Sequence, residues 1–373
     1  MIVGGAQENT LLTVKGLAEK GHEVVLVTGP SPGPEGELLK KVGGLTAFEI
    51  VETPLLVREL HPYRDLAAFF WLKRFFRERQ FDVVHTHSSK AGIIGRAAAR
   101  AAGTALVVHT IHGQAFHPYE KPWRNFMYKT AERWAARKSD RILAVAQAMV
   151  DQCVEAGIAD RSMYAVVRSG MELEPFLNAQ PDPALRRSLG IPDGCPVVGT
   201  LARLFPLKGY EDFMPAAAEV ASAFPDARFL IVGDGVLKDS LAAEVSRLGF
   251  GGRFVFAGLV PPHEVHRYLA LMDVLVHLSL REGLPRSVVQ ALATGKPAVT
   301  FALDGAPEVV LDGETGRLLA PGDVQGVAAA IKALLGNRPL AGRLGEAGRR
   351  FVAERFDWRL MVDLIEKEYF SRL

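Results

Sequence analysis

Cysteine is nearly missing from this 373-residue chain. Cys153 and Cys195 are its two instances, too few and too far apart for a disulfide framework or a thiol metal site. Both are expected as reduced thiols of a cytoplasmic protein. Long apolar runs are missing too: no stretch approaches the roughly 18 residues of a membrane span, and the best candidate, around 66–72, is cut short by charges. No cleavable leader pattern, low-complexity tract or short repeat is visible. Excess charge of one sign is slight, with 44 Lys+Arg against 42 Asp+Glu. Without a recognisable binding module, that balance argues against nucleic acid as a partner. One region departs from it: residues 60–141 carry fifteen Lys/Arg against six Asp/Glu. Such a surface suits peripheral contact with an anionic membrane, at its inner face, or a phosphorylated acceptor. Solvated helix faces are the plainer alternative.

What is present is apolar bulk, 49% of residues, with 36 glycines, over a length that fits two domains. The first half alternates buried-strand and helix patterns: a helix from Gly5 to about Gly21, strand 24–28, helix 66–79, strand 83–86, helix 92–102, strand 106–110, helix 121–138 and strand 141–145. Alternation of this kind predicts a parallel, doubly wound sheet. The glycine pair Gly4-Gly5 normally follows a buried strand, yet only three residues precede it. The first β-strand is therefore expected to be missing, with an internal start, a truncation or an unusual element as the explanations. A linker is expected at 178–193 between an N-terminal domain (1–177) and a C-terminal domain (194–352). The alternation restarts there: strands at 197–201, 228–232, 253–256, 274–278 and 298–300, with helices at 211–223, 236–248, 263–271, 286–294, 324–335 and 340–354. A last segment, 353–373, is expected to cross back to the first domain, with Trp358 as packing.

Ser279-Leu280-Arg281-Glu282-Gly283-Leu284-Pro285 leaves a buried strand and enters a helix carrying Gln290. Ligands of open α/β sheets bind outside the carboxyl ends of strands, where a helix N-terminus favours anions. The reading puts Glu282 and Gln290 along one helix edge. Thr200 to Gly209 holds Arg203 and Lys208 on one loop after another buried strand; two cations there can hold an anion, each charge-assisted hydrogen bond contributing about 1.5–3 kcal/mol. Thr110-Ile111-His112-Gly113 puts His112 at a strand end. His85 and His109 lie within strands and read as structural. The run His85 to Gly92 opens a helix on which Lys90 and Arg96 lie where an anionic acceptor can approach, with Ser88 as its cap. No His-x3-His or Cys partner supports a metal site.

These segments resemble glycosyltransferase family 4, whose members are retaining enzymes of GT-B fold: two Rossmann-like doubly wound domains facing a central cleft. The resemblance covers essentially the whole chain after the missing strand. It implies His112, Glu282, Arg203 and Lys208 as catalytic residues. Donor contacts are implied for Gly4, Gly5, Gly233, Leu259, Gly283, Leu284, Pro285, Gln290 and Glu308, and acceptor contacts for Gln7, His87, Lys90 and Arg96. The family's Glu-x7-Glu stands here as Glu282-x7-Gln290, so an amide meets the ribose hydroxyls. The expected reaction moves a sugar from a nucleoside-diphosphate sugar to a carbohydrate or lipid-linked acceptor, without a metal or other cofactor. A sugar-nucleotide epimerase or hydrolase, or a binding protein without turnover, are the alternatives.

Overall fold

The computed structural model describes residues 5–30 and 48–373, in two compact units. The first comprises Met1–Met171 with Asp357–Leu373, the second Glu172–Phe356. The division thus falls at 171/172, earlier than the expected 177/178. The expected linker 178–193 is not a bare connection. It carries helix Pro183–Ser188, N-capped by Asp182, whose other carboxylate oxygen pairs with Arg267 at 2.7 Å. Asp-Pro at 182–183 is a helix-start signal that the Pro-rich composition obscured.

The second unit is a six-stranded parallel sheet in the order β12-β11-β10-β7-β8-β9. Its strands are β7 Val197–Leu201, β8 Arg228–Val232, β9 Phe254–Gly258, β10 Val274–His277, β11 Ala298–Phe301 and β12 Gly316–Leu319. Read from the other edge this is the 3-2-1-4-5-6 order of a doubly wound sheet, and the order reverses between β7 and β10. The four central strands are buried on both faces, with Val198, Phe229, Ile231, Val276 and Val299 in one core shared with helices Tyr210–Ala223 and Val324–Gly336. Burial on both sides explains the near-continuous apolar runs.

In the first unit, β1 Val25–Thr28 pairs with β2 Glu49–Glu52. A separate parallel sheet runs β3 Val83–His87, β4 Leu106–Ile111, β5 Arg141–Ala144, β6 Tyr164–Val166. Its strands follow one another in chain order, as in one half of a doubly wound sheet. Among the described residues no strand precedes helix Gly5–Glu19. Val27 of β1 nevertheless packs with Leu72, Phe76, Val84 and Val107. Helix Trp358–Phe370 belongs to this unit and lies against helix Gly5–Glu19. Their close approach is set at Gly16, where an added Cβ would stand 2.6 Å from Val362. Lys20 bonds both Asp363 and Glu366 across the same pair of helices. Trp358 is buried there, as packing. Cys153 is buried and its thiol is pushed up to about 12 by that burial; neither cysteine is in a disulfide.

Candidate functional site

Two turns at the carboxyl edge of the second unit's sheet are locked together, and this lock creates the site. Leu207, after β7, takes a left-handed backbone (φ 67°) and Gly209 follows at φ 75°. A Cβ on Gly209 would stand 2.1 Å from the carbonyl oxygen of Leu278, so the two turns touch backbone to backbone and only glycine fits. The Leu280 N–H donates to the Leu207 carbonyl at 2.9 Å, and Ser279 Oγ reaches Leu207 and Arg281 carbonyls. The result is that Lys208 Nζ meets Glu282 Oε1 at 2.6 Å, from strands on either side of the point where the strand order reverses.

A third loop fixes Glu282 from behind. Its backbone N–H donates to Asp304 Oδ2 at 2.8 Å, on the turn after β11, where Asp304 is itself left-handed (φ 49°). His277, buried at the end of β10, places Nε2 3.3 Å from Glu282 Oε1 at an angle that misses a hydrogen bond. Its Nδ1 is 3.2 Å from Ser287 Oγ. Burial alone would raise the Glu282 carboxyl, but His277 and Lys208 more than reverse this and hold it down at about 2. The carboxylate is therefore ionised at neutral pH and half of a partly buried ion pair.

Arg203, on the loop that carries Lys208, is exposed and lies over the Phe205 ring at 5.3 Å. Among the described residues it makes no ion pair, so the structure brings Lys208 and Glu282 together and leaves the guanidinium, on the same loop, stacked on Phe205 alone. Gly233 and Gly235 press on this loop. A Cβ on Gly233 would stand 2.0 Å from the Ala202 carbonyl oxygen, one on Gly235 2.4 Å from that of Leu204. Their placement is that of tight packing under the Arg203 loop. Leu259 is exposed just after β9. Glu308 ends a short 3-10 helix on the same loop as Asp304.

The expectation that Glu282 and Gln290 share one helix edge is corrected. Helix Arg286–Ala293 starts after Pro285, and Glu282 sits in the preceding turn, where Asp304 holds it. Gly283, Leu284 and Pro285 are buried and form that turn; Gln290 is half-buried on the helix, with no side-chain hydrogen bond among the described residues. A cavity of about 270 Å³ lies elsewhere, lined by Gln180, Thr294, Lys296 and Arg349 at the amino edge of the sheet, away from the converging side chains.

In the first unit, strand ends gather histidines. His87 Nδ1 is 2.9 Å from His112 Nε2, with the rings stacked. Burial lowers His87 to about 4, so its imidazole is uncharged at neutral pH and bonds as a neutral ring. His85 is held by Tyr369 and Thr110 and His109 by Thr86; burial lowers both well below the usual histidine value, as structural histidines. Gln7 lies in the first turn of helix Gly5–Glu19, as does Gly5; Gly4 lies outside the described residues.

One acceptor-side expectation is corrected. Arg96 is completely buried, with Nε on the Gly92 carbonyl and Nη2 on Glu132 at 2.9 Å, so it cannot meet an acceptor. Lys90 is partly exposed and pairs with Asp65 at 2.5 Å and with the Glu59 carbonyl. Ser88 precedes helix Ser89–Ala102 at φ 60° and its hydroxyl caps nothing, another departure from expectation. Residues the sequence did not single out are His277, Ser279, Ser287 and Asp304. The histidine ending the apolar strand Val274-Leu275-Val276-His277 was the one available signal.

Two α/β units of parallel strands, with polar side chains gathered at strand ends, have the GT-B fold of glycosyltransferases. The chain belongs to glycosyltransferase family 4: residues 3–174 match the family described as Glycosyltransferase Family 4 and residues 181–351 match Glycosyl transferases group 1. It is similar to the 2-deoxystreptamine glucosyltransferase of Streptomyces kanamyceticus, 30% identical over 275 residues, covering 71% of this chain and 70% of that protein. It is also similar to the UDP-Gal:alpha-D-GlcNAc-diphosphoundecaprenol alpha-1,3-galactosyltransferase of Escherichia coli. That match is 29% identical over 327 residues, 87% of this chain and 82% of the relative. Among solved structures, HepE of Anabaena in complex with UDP-glucose has a TM-score of 0.81 at 22% identity, covering 100% of this chain and 97% of that one. The chain is thus a glycosyltransferase.

Proposed function

We propose that this enzyme moves a hexose-type sugar, with retention of anomeric configuration, from a nucleoside-diphosphate sugar to a hydroxyl of a carbohydrate or lipid-linked acceptor. Cell-envelope polysaccharide or glycolipid synthesis is the setting. The observation that carries the reading is the Lys208–Glu282 pair at the strand-order reversal, with Arg203 uncommitted on the same loop. As the glycosidic bond breaks, negative charge grows on the departing phosphate, and preorganised cations there lower the barrier. Lys208 has three N–H donors, so it can keep Glu282 while donating to a phosphate oxygen. Glu282, ionised and fixed by Asp304, orients sugar hydroxyls as an acceptor of their hydrogen bonds. Gln290 meets the ribose diol as a neutral amide. The departing phosphate oxygen takes the acceptor's proton, so no side chain forms a covalent bond to sugar. Support also comes from the galactosyl donor and diphosphoundecaprenol acceptor in the E. coli relative's name, and from UDP-glucose in HepE.

The test is a thermal-shift screen of UDP-, GDP- and ADP-sugars, since a tight ligand raises Tm. Nucleotide release with the stabilising donor, and NMR of the product, follow. Acceptor-dependent release with a retained anomer is expected. An inverted anomer, an epimerised donor or release indifferent to acceptor overturns the reading.

A further inference from the structure

Helix Pro122–Ala136 is built inside out. Its buried residues are Ala135 and Ala136, while its bulky apolar side chains face away from the core. Trp123 is 60% exposed, Phe126 71%, Met127 40% and Trp134 47%. Their spacing of three, four and seven residues puts them on one stripe of an α-helix. Thr130 and Ala131 complete a shallow apolar depression of about 540 Å³ between Phe126, Met127 and Trp134. The inward side is held by polar contacts instead: Glu132 to Arg96, Asn125 to the His117 backbone, Arg133 to the carbonyls of Ala156 and Gly157. A helix anchored by polar bonds with its aromatic residues outward reverses the pattern of a solvated surface helix, and an apolar stripe of this size marks an interaction face.

Charge says what the face meets. Residues 121–138 contain six Lys/Arg and one acidic residue, Glu132, which is turned inward onto Arg96; Arg133 also turns inward and Arg124 pairs with Glu120 at 3.6 Å, which leaves Lys121, Lys129, Arg137 and Lys138 as the net positive charge. Arg124 lies over the Trp123 ring at 5.2 Å and Lys138 over that of Trp134 at 5.6 Å. Aromatic rings topped by cations on long flexible stems suit the boundary between headgroups and acyl chains, where rings enter and cations stay with phosphates. A second copy of the chain fits poorly, because apposed faces would bring together the same net positive charge. Helix Pro62–Arg79 also packs on helix Ser89–Ala102 and adds exposed Tyr63, Leu66 and Phe70 to the first unit's apolar surface.

We infer that the outer face of helix Pro122–Ala136 docks the enzyme on an anionic lipid surface, with Trp123, Phe126 and Trp134 entering the interface. The probe is cosedimentation of the full chain with vesicles of phosphatidylcholine alone and of equal parts phosphatidylcholine and phosphatidylglycerol. A W123A/F126A/W134A variant runs in parallel. Since all three side chains are exposed, its circular dichroism and Tm stay at wild-type values. The wild type binds the anionic vesicles, with a blue shift of tryptophan emission and weakening in salt, and ignores the neutral ones. The variant binds more than about tenfold more weakly. Absence of wild-type binding to anionic vesicles overturns the inference, as does binding undiminished in the variant. Concentration-dependent dimerisation that the variant abolishes assigns the face to a second copy and also overturns it.

Discussion

Replacing Lys208 with methionine removes one charge while keeping most of the stem. In the folded enzyme Nζ lies 2.6 Å from Glu282 Oε1, with both side chains 21% exposed. Two consequences of different size follow. For the free protein, losing an ion pair that still touches water costs about 1 kcal/mol, near the top of the surface range and below that of a fully buried pair. In a unit of this size that lowers Tm by about 2–4 °C. For the reaction, losing a donor aimed at developing phosphate charge costs about 2.7–4 kcal/mol, or about 10²–10³ in kcat. Steady-state kinetics with the donor found by thermal shift, run alongside thermal unfolding, separate the two. Lys208→Arg keeps the charge but trades a compact ammonium for a planar fork, so it recovers only part of the rate. Turnover unchanged in Lys208→Met, at temperatures where the variant stays folded, refutes the reasoning. So does a rate loss no larger than its loss of folded protein.

Further outcomes follow from the same contacts. Glu282 is held at about 2 against an ordinary value of 4.5, so its ionised form stabilises the fold above about 4.5 and that contribution fades as pH falls toward 2. The stability deficit of Glu282→Gln, read from urea unfolding, therefore shrinks across that window; a deficit that grows there contradicts the assignment. Gly209→Ala forces a Cβ against the Leu278 carbonyl at a left-handed position and lowers stability by more than about 2 kcal/mol in denaturant titration. Glu132→Ala strands the buried Arg96 charge and costs about 3–5 kcal/mol, while whatever protein remains folded keeps its KM for acceptor. Chelation with EDTA leaves transfer at its starting rate, since Arg203 and Lys208 carry the charge; a lost rate restored by a divalent cation contradicts that.

Much of the architecture was legible because buried parallel strands advertise themselves. Val107-Val108, Phe229 to Val232 and Val274 to Val276 are apolar on both faces and read as strands without ambiguity. β2, Glu49-Ile50-Val51-Glu52, was not read because two apolar residues between acids carry no such signal, and β12 was hidden in a turn-rich stretch. The local half of the site was readable too, since a cation after one strand and a carboxylate after another are sequence patterns. What locks them was not. Asp304 and His277 act only once three loops meet, and that meeting depends on Gly209 lying against Leu278. Arg96 was misplaced for the same reason: its partner Glu132 lies on another helix, and nothing near Arg96 announces a buried pair. On helix Pro122–Ala136 the periodicity of apolar residues was evident, but its direction, outward rather than inward, belongs to the tertiary structure.

The central claim is that a diphosphate sits at the carboxyl edge of the second unit's sheet, between the turns after β7 and β10. A crystal structure of the enzyme with the nucleoside diphosphate of its preferred donor tests it most directly. The β-phosphate is expected within hydrogen-bond reach of Lys208 Nζ and the Arg203 guanidinium, with Glu282 still fixed by Asp304. A nucleotide lodged at the opposite edge, beside Lys296 and Arg349, with Lys208 still closed on Glu282 alone, contradicts it.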